Sequence, residues 1–223
     1  MHIFMYSDQV IEENLQMDLK LIEVATSKVG SVGKIKVGYI PSAGDRERKY
    51  YNDKVNYYQK YGISHFMFFD LDEEYDEGFL NDLMDCTIIH LSGGKPVELN
   101  RHVMNRSFGA NLEAYLLDGG IVVGVSAGAI QLTRSIGLYL AYMFGFDYER
   151  EQHQAALTTS QLVDFEFVPH LNRFSQAYID GLQNYSDRYG TRIYGCYDGG
   201  GIHVHDQQID RFGQVIMIEP KNE

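Results

Sequence analysis

At 223 residues, with 44% apolar and 22% charged side chains, the chain is long enough for a single α/β domain, 1–223, with a substantial core. A formal net charge of −12 argues against nucleic acid, whose phosphates demand a basic face. No run is long and apolar enough to span a bilayer, and Met1 to Asp8 lacks the basic region and apolar core of a signal peptide, so the chain reads as cytoplasmic.

Ile3–Tyr6 predicts a first short strand. From Glu12 to Ser27, Leu15, Leu19, Ile22 and Ala25 recur at helical spacing and predict an amphipathic helix ended by Gly30 and Gly33. Lys34–Ile40 is the next strand, Pro41-Ser42-Ala43-Gly44 its turn, and Asp45–Tyr61 a Tyr-rich helix capped by Gly62. Ile63–Leu71 is a strand, Asp72–Asp76 a solvated acidic loop, and a short helix lies near Phe79–Met84. Cys86–Leu91 is a strand that ends in Ser92-Gly93-Gly94-Lys95, and Pro96 suits the first turn of a helix running to Leu117. Cys86 and Cys196 both border apolar runs and read as buried thiols.

Asp118-Gly119-Gly120 then turns the chain into Ile121–Ile130. There a β-branched run passes abruptly into small residues, and Gly124-Val125-Ser126-Ala127-Gly128 fits the G-x-S-x-G pattern of a nucleophile elbow. The glycines let strand and helix pass closely, and the turn pushes the serine Oγ out at the carboxyl edge of the sheet. Beyond it, Leu138–Phe146 is apolar and aromatic, and Glu149–Ala156 is polar and helical. Tyr139–Gln154 is a candidate for a segment closing over the site. Leu162–Val168 alternates like a strand before Pro169-His170, and Ser175–Tyr189 is a helix stopped by Gly190. Arg192–Tyr197 is a strand ending in Asp198-Gly199-Gly200-Gly201. Ile202–Glu219 reads as short antiparallel strands around Arg211-Phe212-Gly213. Repeated strand–helix alternation implies a three-layer fold: a mostly parallel sheet flanked by helices, with ligands at the carboxyl ends of the strands.

A serine hydroxyl needs a base within hydrogen-bond reach, an acid to orient that base, and donors for the oxyanion. His170 ends a predicted strand and is the first choice of base. His90 sits in an apolar run and reads as a packed strand residue. His203 and His205 share a strand face as half of a metal site without a third ligand of convincing spacing. Asp198 is the first choice of acid because it ends a strand and opens a Gly run; Asp164 and Glu166 are alternatives, or solvent-facing partners of inward Phe165 and Phe167. Ala127, first residue of the helix, offers one oxyanion amide and the Gly93-Gly94-Lys95 turn another, through Gly94. A phosphate cradle is the rival reading of that turn, which lacks the rest of a P-loop. The order serine, histidine, acid differs from the α/β-hydrolases.

With these residues assembled, the chain resembles the peptidase E (dipeptidase E, alpha-aspartyl dipeptidase) family. The resemblance rests on Ile40-Pro41-Ser42-Ala43, Leu91-Ser92-Gly93-Gly94, Gly124-Val125-Ser126-Ala127-Gly128-Ala129, Val168-Pro169-His170 and Asp198-Gly199, in order over most of the chain. It implies a class I glutamine amidotransferase-like (flavodoxin-like) fold and a serine hydrolase with neither metal nor cofactor. Such an enzyme cuts short peptides, N-terminal Asp-X among them. Carried over by position, Ser126 is the nucleophile, His170 the base and Asp198 the acid, with Gly94 and Ala127 as oxyanion donors. Lys95 stands where the family commonly has Asn, and Asp198 where Glu is usual. Lys95 and Arg173 are candidates to hold a substrate carboxylate. Two other readings stay open: a ligand-binding member of the fold that has lost turnover, and an esterase or amidase for small acyl compounds. The partner implied is a small peptide, and the protein is a monomer or a homodimer.

Overall fold

The computed structural model describes residues 1–153 and 157–221. Its main sheet has seven strands in the order β3-β2-β4-β5-β1-β8-β9. These are β1 His2–Tyr6, β2 Lys36–Ile40, β3 His65–Phe68, β4 Ile88–Leu91, β5 Ile121–Val125, β8 Gly201–His205 and β9 Gln208–Phe212. The first five pair in parallel, while β8 is antiparallel to both β1 and β9. The expected mostly parallel α/β architecture is therefore present.

Helices cover both faces. On one side α1 (Ile11–Val29) and α2 (Lys49–Gln59) bury Met17, Leu21, Tyr57 and Tyr58 against Phe4, Val37, Ile121 and Val123. On the other, α3 (Leu80–Met84), α4 (Pro96–Asn105) and α5 (Phe108–Leu117) pack Leu83, Leu99, Val103 and Leu112 against Ile3, Ile89 and Val122. The inner parallel strands β1, β2, β4 and β5 read as nearly continuous apolar runs because they are buried on both faces, whereas the edge strands β3 and β9 are partly exposed.

The expected apolar face of α1 is displaced. Leu15 and Leu19 are exposed, and the buried stripe is Asn14, Met17, Asp18, Leu21, Val24 and Ala25. The polar residues on that face find partners for their oxygens, although Asn14 Nδ2 is buried without one: Asn14 Oδ1 accepts the Val10 amide at 2.6 Å. Asp18 accepts the hydroxyls of Tyr6 at 2.9 Å and Tyr61 at 2.7 Å, and that of Tyr57. The single helix expected from Pro96 to Leu117 is two, broken where Ser107 takes a left-handed conformation, φ 51°.

The larger departure is a second sheet. The strands β6 (Glu166–Val168), β7 (Ile193–Cys196) and β10 (Val215–Ile218) form a separate sheet in the order β10-β7-β6, with β6 and β7 parallel. One of its faces sends Phe167, Tyr194 and Cys196 into the core shared with Ile3, Met5, Ile202 and Val204 of the main sheet. Its other face carries α7 (Gly137–Phe144) and α9 (Gln176–Tyr189) through Leu138, Tyr178, Leu182 and Ile193. The strand expected from Leu162 is shortened because the amides of Ser160, Gln161 and Leu162 bond instead to the carbonyls of Gln131, Thr133 and Leu132. Glu166, weighed as solvent-facing, is buried and bonded to Thr133 and Ser135. Of the helix expected over Glu149–Ala156, α8 (Phe146–Glu151) covers the start, and Gln154–Ala156 lie outside the described residues. Cys86 and Cys196 are buried and free.

Candidate active site

β5 delivers Ser126 onto a sharp turn. The Ser126 amide still donates to Tyr6 O at 2.9 Å, as though the strand continued, yet its φ of 49° and ψ of −107° fall outside the ordinary wells. A conformation of that kind costs roughly 1–3 kcal/mol and persists only when its surroundings enforce it. They do so by contact. A Cβ on Gly124 would stand 2.7 Å from the Ala129 backbone, and one on Gly128 would stand 2.1 Å from Leu91 O. Neither position tolerates a side chain, which is why the chain can fold back directly into the short helix α6 (Ala127–Ile130).

His170 and Asp198 come from the second sheet. Each lies two residues beyond the end of its strand, and β6 and β7 are parallel neighbours with Val168 opposite Gly195, so the two side chains emerge side by side. His170 Nδ1 lies 2.5 Å from Asp198 Oδ1, and His170 Nε2 lies 2.9 Å from Ser126 Oγ. A carboxylate only accepts, so Nδ1 carries the hydrogen and Nε2 is free to accept the Ser126 proton. The sequence placed all three at one sheet edge. They do converge, but across the junction of two sheets.

Ser7, just past β1, joins those sheets. Its amide donates to Gly200 O at 2.9 Å, and its Oγ donates to Cys196 O at 3.2 Å and accepts the His170 amide at 2.7 Å. The His170 backbone is thereby fixed in its left-handed conformation, φ 59°. The Asp198 amide donates to Asn172 Oδ1 at 2.9 Å, and Asn172 Nδ2 returns a bond to Asp198 Oδ2 at 3.1 Å. Arg173 Nε donates to the same Oδ2 at 2.6 Å. Burial alone would raise the Asp198 carboxyl, but the bonds from His170, Asn172 and Arg173 outweigh it and hold it below the ordinary carboxylate range. Arg173, weighed as a substrate contact, is thus bonded to the acid, although it also lines the adjoining cavity.

The Gly93–Gly94 turn lies against the elbow. A Cβ on Gly93 would meet Ser126 Cβ at 3.5 Å, and Gly94, with φ 136°, sits so close to Ser42 Oγ that a Cβ would stand 2.1 Å from it. Ser42 organises the turn: its amide donates to Ser92 Oγ at 2.9 Å, and its Oγ accepts the Lys95 amide at 3.2 Å. Ala127 is the first residue of α6, where no preceding turn supplies an acceptor for its amide. Asp164, an alternative acid, lies on a separate surface cavity with Arg134 and Arg192, and Glu166 faces Thr133 and Ser135.

Two cavities meet at Gly94. One, of about 240 Å³, is lined by Ser126 and His170 and walled by Leu138, Tyr139, Tyr142 and Phe174. Tyr139 and Tyr142 belong to α7, part of the segment weighed as a cover; Gln154 at its far end lies outside the described residues. The other cavity, of about 550 Å³, is lined by Tyr39, Tyr50, Lys54, Gly93 and Lys95. Lys95 is exposed and ion-paired to Glu98 at 2.9 Å. Burial pushes the Lys54 ammonium down to about 8, against the pull of Asp18, Asp53 and Asp8. Ser7, Asn172, Ser42 and Lys54 were not singled out as functional from the sequence. Asn172 was the most findable, two residues past a candidate base and beside Arg173, whereas Lys54 is one cation on a charged helix.

The model of the family described as Peptidase family S51 matches residues 10–212. A crystal structure of a candidate peptidase E protein from Listeria monocytogenes EGD-e is similar over 99% of this chain and 98% of that one, with 18% identity and a TM-score of 0.67. The structure of a peptidase from an acI-B1 Actinobacterium is similar over 99% of this chain and 95% of its own, with 14% identity and a TM-score of 0.71. At such identities the likeness concerns the fold. A search of curated proteins returned no match. Among the described residues no helix is long and apolar enough to cross a membrane.

Proposed function

The chain belongs to peptidase family S51, and on that premise we propose that it is a serine-type dipeptidase working through Ser126, His170 and Asp198. The observation that carries the reading is the unbroken relay Asp198–His170–Ser126, with links of 2.5 and 2.9 Å. His170 Nε2 takes the Ser126 proton as Oγ attacks the scissile carbonyl carbon. The amides of Gly94 and Ala127 receive the developing oxyanion. Collapse of the tetrahedral intermediate breaks the C–N bond, and His170 hands its proton to the leaving amine. Water then attacks the acyl-enzyme, with His170 again as base, and releases the acid and Ser126.

The cavities bear on the substrate. A space of about 240 Å³ beside Ser126 suits one or two residues rather than a long peptide. Lys54 and Lys95 line the neighbouring cavity together with Asp53, so an acidic side chain entering past Gly94 has two ammonium groups within the cavity to meet, Lys95 exchanging Glu98 for it. That favours an N-terminal Asp or Glu in the substrate, held by point charges rather than by an amide. The chemistry proceeds through side chains and backbone amides, so a chelator should leave the hydrolytic rate unchanged. Two free thiols suit the reducing cytoplasm.

The test is labelling with a fluorophosphonate, mapped by mass spectrometry, together with a panel of Asp, Glu, Asn and Gly dipeptides. Labelling of Ser126, hydrolysis of the Asp dipeptide and loss of both in Ser126→Ala are expected. Saturable dipeptide binding without turnover by folded wild type would favour a ligand-binding protein. Turnover of p-nitrophenyl esters but of no dipeptide would favour an esterase.

A further inference from the structure

The far end of β8 carries a second cluster of chemistry-bearing side chains. β8 pairs antiparallel with β1 and β9, so that Phe4 lies opposite His203, His203 opposite Asp210, and His2 opposite His205. Residues directly opposite on paired strands share a face, and so do alternate residues on one strand. His2, His203, His205 and Asp210 therefore all project from the α1 side of the sheet. The sequence pairs His203 with His205; the hairpin register adds Asp210 as the third donor. The β8–β9 connection is Asp206-Gln207, both residues at positive φ (44° and 67°), the conformation of a tight two-residue hairpin turn. That turn fixes the register that brings Asp210 beside the histidines.

The donor atoms are close. His205 Nε2 lies 2.9 Å and His203 Nδ1 3.9 Å from the same oxygen, Asp210 Oδ2. One ligand atom from each of the three residues falls within 4.8 Å of the other two. In a four-coordinate zinc site with bonds near 2.0–2.1 Å, ligand atoms stand about 3.3 Å apart. The two separations bracket that value, so small side-chain rotations suffice. His203 is only 1% exposed, and its Nδ1 is buried without a hydrogen-bond partner. A buried polar atom left unpaired is costly, and this one is aimed at Asp210 across a gap too long for a hydrogen bond. The other His203 nitrogen, Nε2, faces His2 Nδ1 at 3.0 Å, and the ring stacks on Phe4 with centroids 3.9 Å apart. A metal-bound imidazole is commonly oriented in this way, by a hydrogen bond on its second nitrogen.

We propose that His203 Nδ1, His205 Nε2 and Asp210 Oδ2 form a binding site for a divalent transition-metal ion of the zinc class. Water takes the fourth position and His2 orients His203. Two imidazoles and one carboxylate suit zinc, cobalt or nickel over magnesium or calcium. The ion ties the edge strand β9 to β8. The site lies about 13 Å along β8 from Gly201, at the end of the strand away from Ser7 and Asp198. Its role is structural, and it stands independently of the peptidase reading.

The test titrates full-length, chelator-treated protein with zinc chloride by calorimetry and records the visible spectrum with cobalt chloride. One equivalent of zinc should bind saturably, and cobalt should give the intense d–d bands of a four-coordinate site. His205→Gln and Asp210→Asn should each weaken zinc binding at least tenfold while unfolding at the wild-type temperature without metal. Absence of saturable binding, binding unaltered in both variants, or magnesium binding as tight as zinc would each overturn the proposal. Should a variant fail to fold, modification of wild-type His205 by diethyl pyrocarbonate decides: protection by zinc supports the site, and equal modification overturns it.

Discussion

Replacing Asp198 with Asn tests the relay at its most informative point. The two carboxylate oxygens face different partners. Oδ2 accepts from Arg173 Nε at 2.6 Å and Asn172 Nδ2 at 3.1 Å, and neither group can accept in return. Oδ1 faces His170 Nδ1 at 2.5 Å. In Asp198→Asn the amide must therefore keep its oxygen toward Arg173 and Asn172. Turning it over would set two donors against its NH₂ and forfeit two bonds worth roughly 1–3 kcal/mol each. A preference of about 3 kcal/mol exceeds a hundredfold. The NH₂ then points at His170 Nδ1, which must accept, and the imidazole proton moves to Nε2, facing Ser126 Oγ. In that tautomer His170 cannot act as base. Such an error costs about 10⁴ in kcat, or about 5 kcal/mol of transition-state stabilisation. Steady-state hydrolysis of an Asp dipeptide and the rate of fluorophosphonate labelling should fall together, with the melting temperature changed little. Removing the two donors as well, with Asn172→Ala and Arg173→Leu, frees the amide to turn and should restore part of the rate. A loss under tenfold in Asp198→Asn, or no recovery in the triple variant, would refute the argument.

Two further perturbations probe the scaffold. Glu166 is buried, and burial pushes its carboxyl up to about 8 against hydrogen bonds from Ser135 and Thr133. The folded chain thus holds a proton that the unfolded chain releases above about 4.5, so stability is full below that pH and falls by about 4 kcal/mol as pH rises to 8. Glu166→Gln keeps the shape of the protonated acid and removes the titration. Urea unfolding at pH 5 and 8 should show wild type losing stability and the variant much less, and equal losses would refute the assignment. Gly128→Ala places a methyl 2.1 Å from the Leu91 carbonyl oxygen, which is backbone in a buried strand and cannot step aside. Loss of Ser126 labelling with a lowered melting temperature is expected by circular dichroism and mass spectrometry, and wild-type labelling would show the elbow to be looser than the contacts imply.

Much of this molecule is written in local pattern. The β-branched run Ile121–Val125 reads as a buried strand, and the small residues after it as a tight turn, because β-branching and glycine spacing are properties of consecutive residues. His170 and Asp198 were legible for the same reason: each closes a strand-like run at a turn. Local pattern does not say which sheet a strand joins. β6 and β7 are three and four residues long, and nothing in them distinguishes pairing with each other from insertion beside β1. Their segregation into a second sheet depends on the burial of Phe167, Tyr194 and Cys196 in the core they share with Ile3, Met5, Ile202 and Val204 of the main sheet. The buried face of α1 is not legible locally because Asp18 looks like a solvent residue until Tyr6 from β1, and Tyr57 and Tyr61 from α2 and the turn after it, converge on it. Ser7, 163 residues from the His170 amide it accepts, is likewise silent in sequence. So the chain alone marked most of the strands, the tight Gly-x-Ser turn after β5 and the histidine and aspartate that come within hydrogen-bond reach of it, features that rest on short-range sterics and periodicity. The tertiary structure alone decided how the relay is held, that Arg173 is bonded to Asp198, and that Asp210 stands beside two histidines, because those facts depend on register and on which surfaces bury one another.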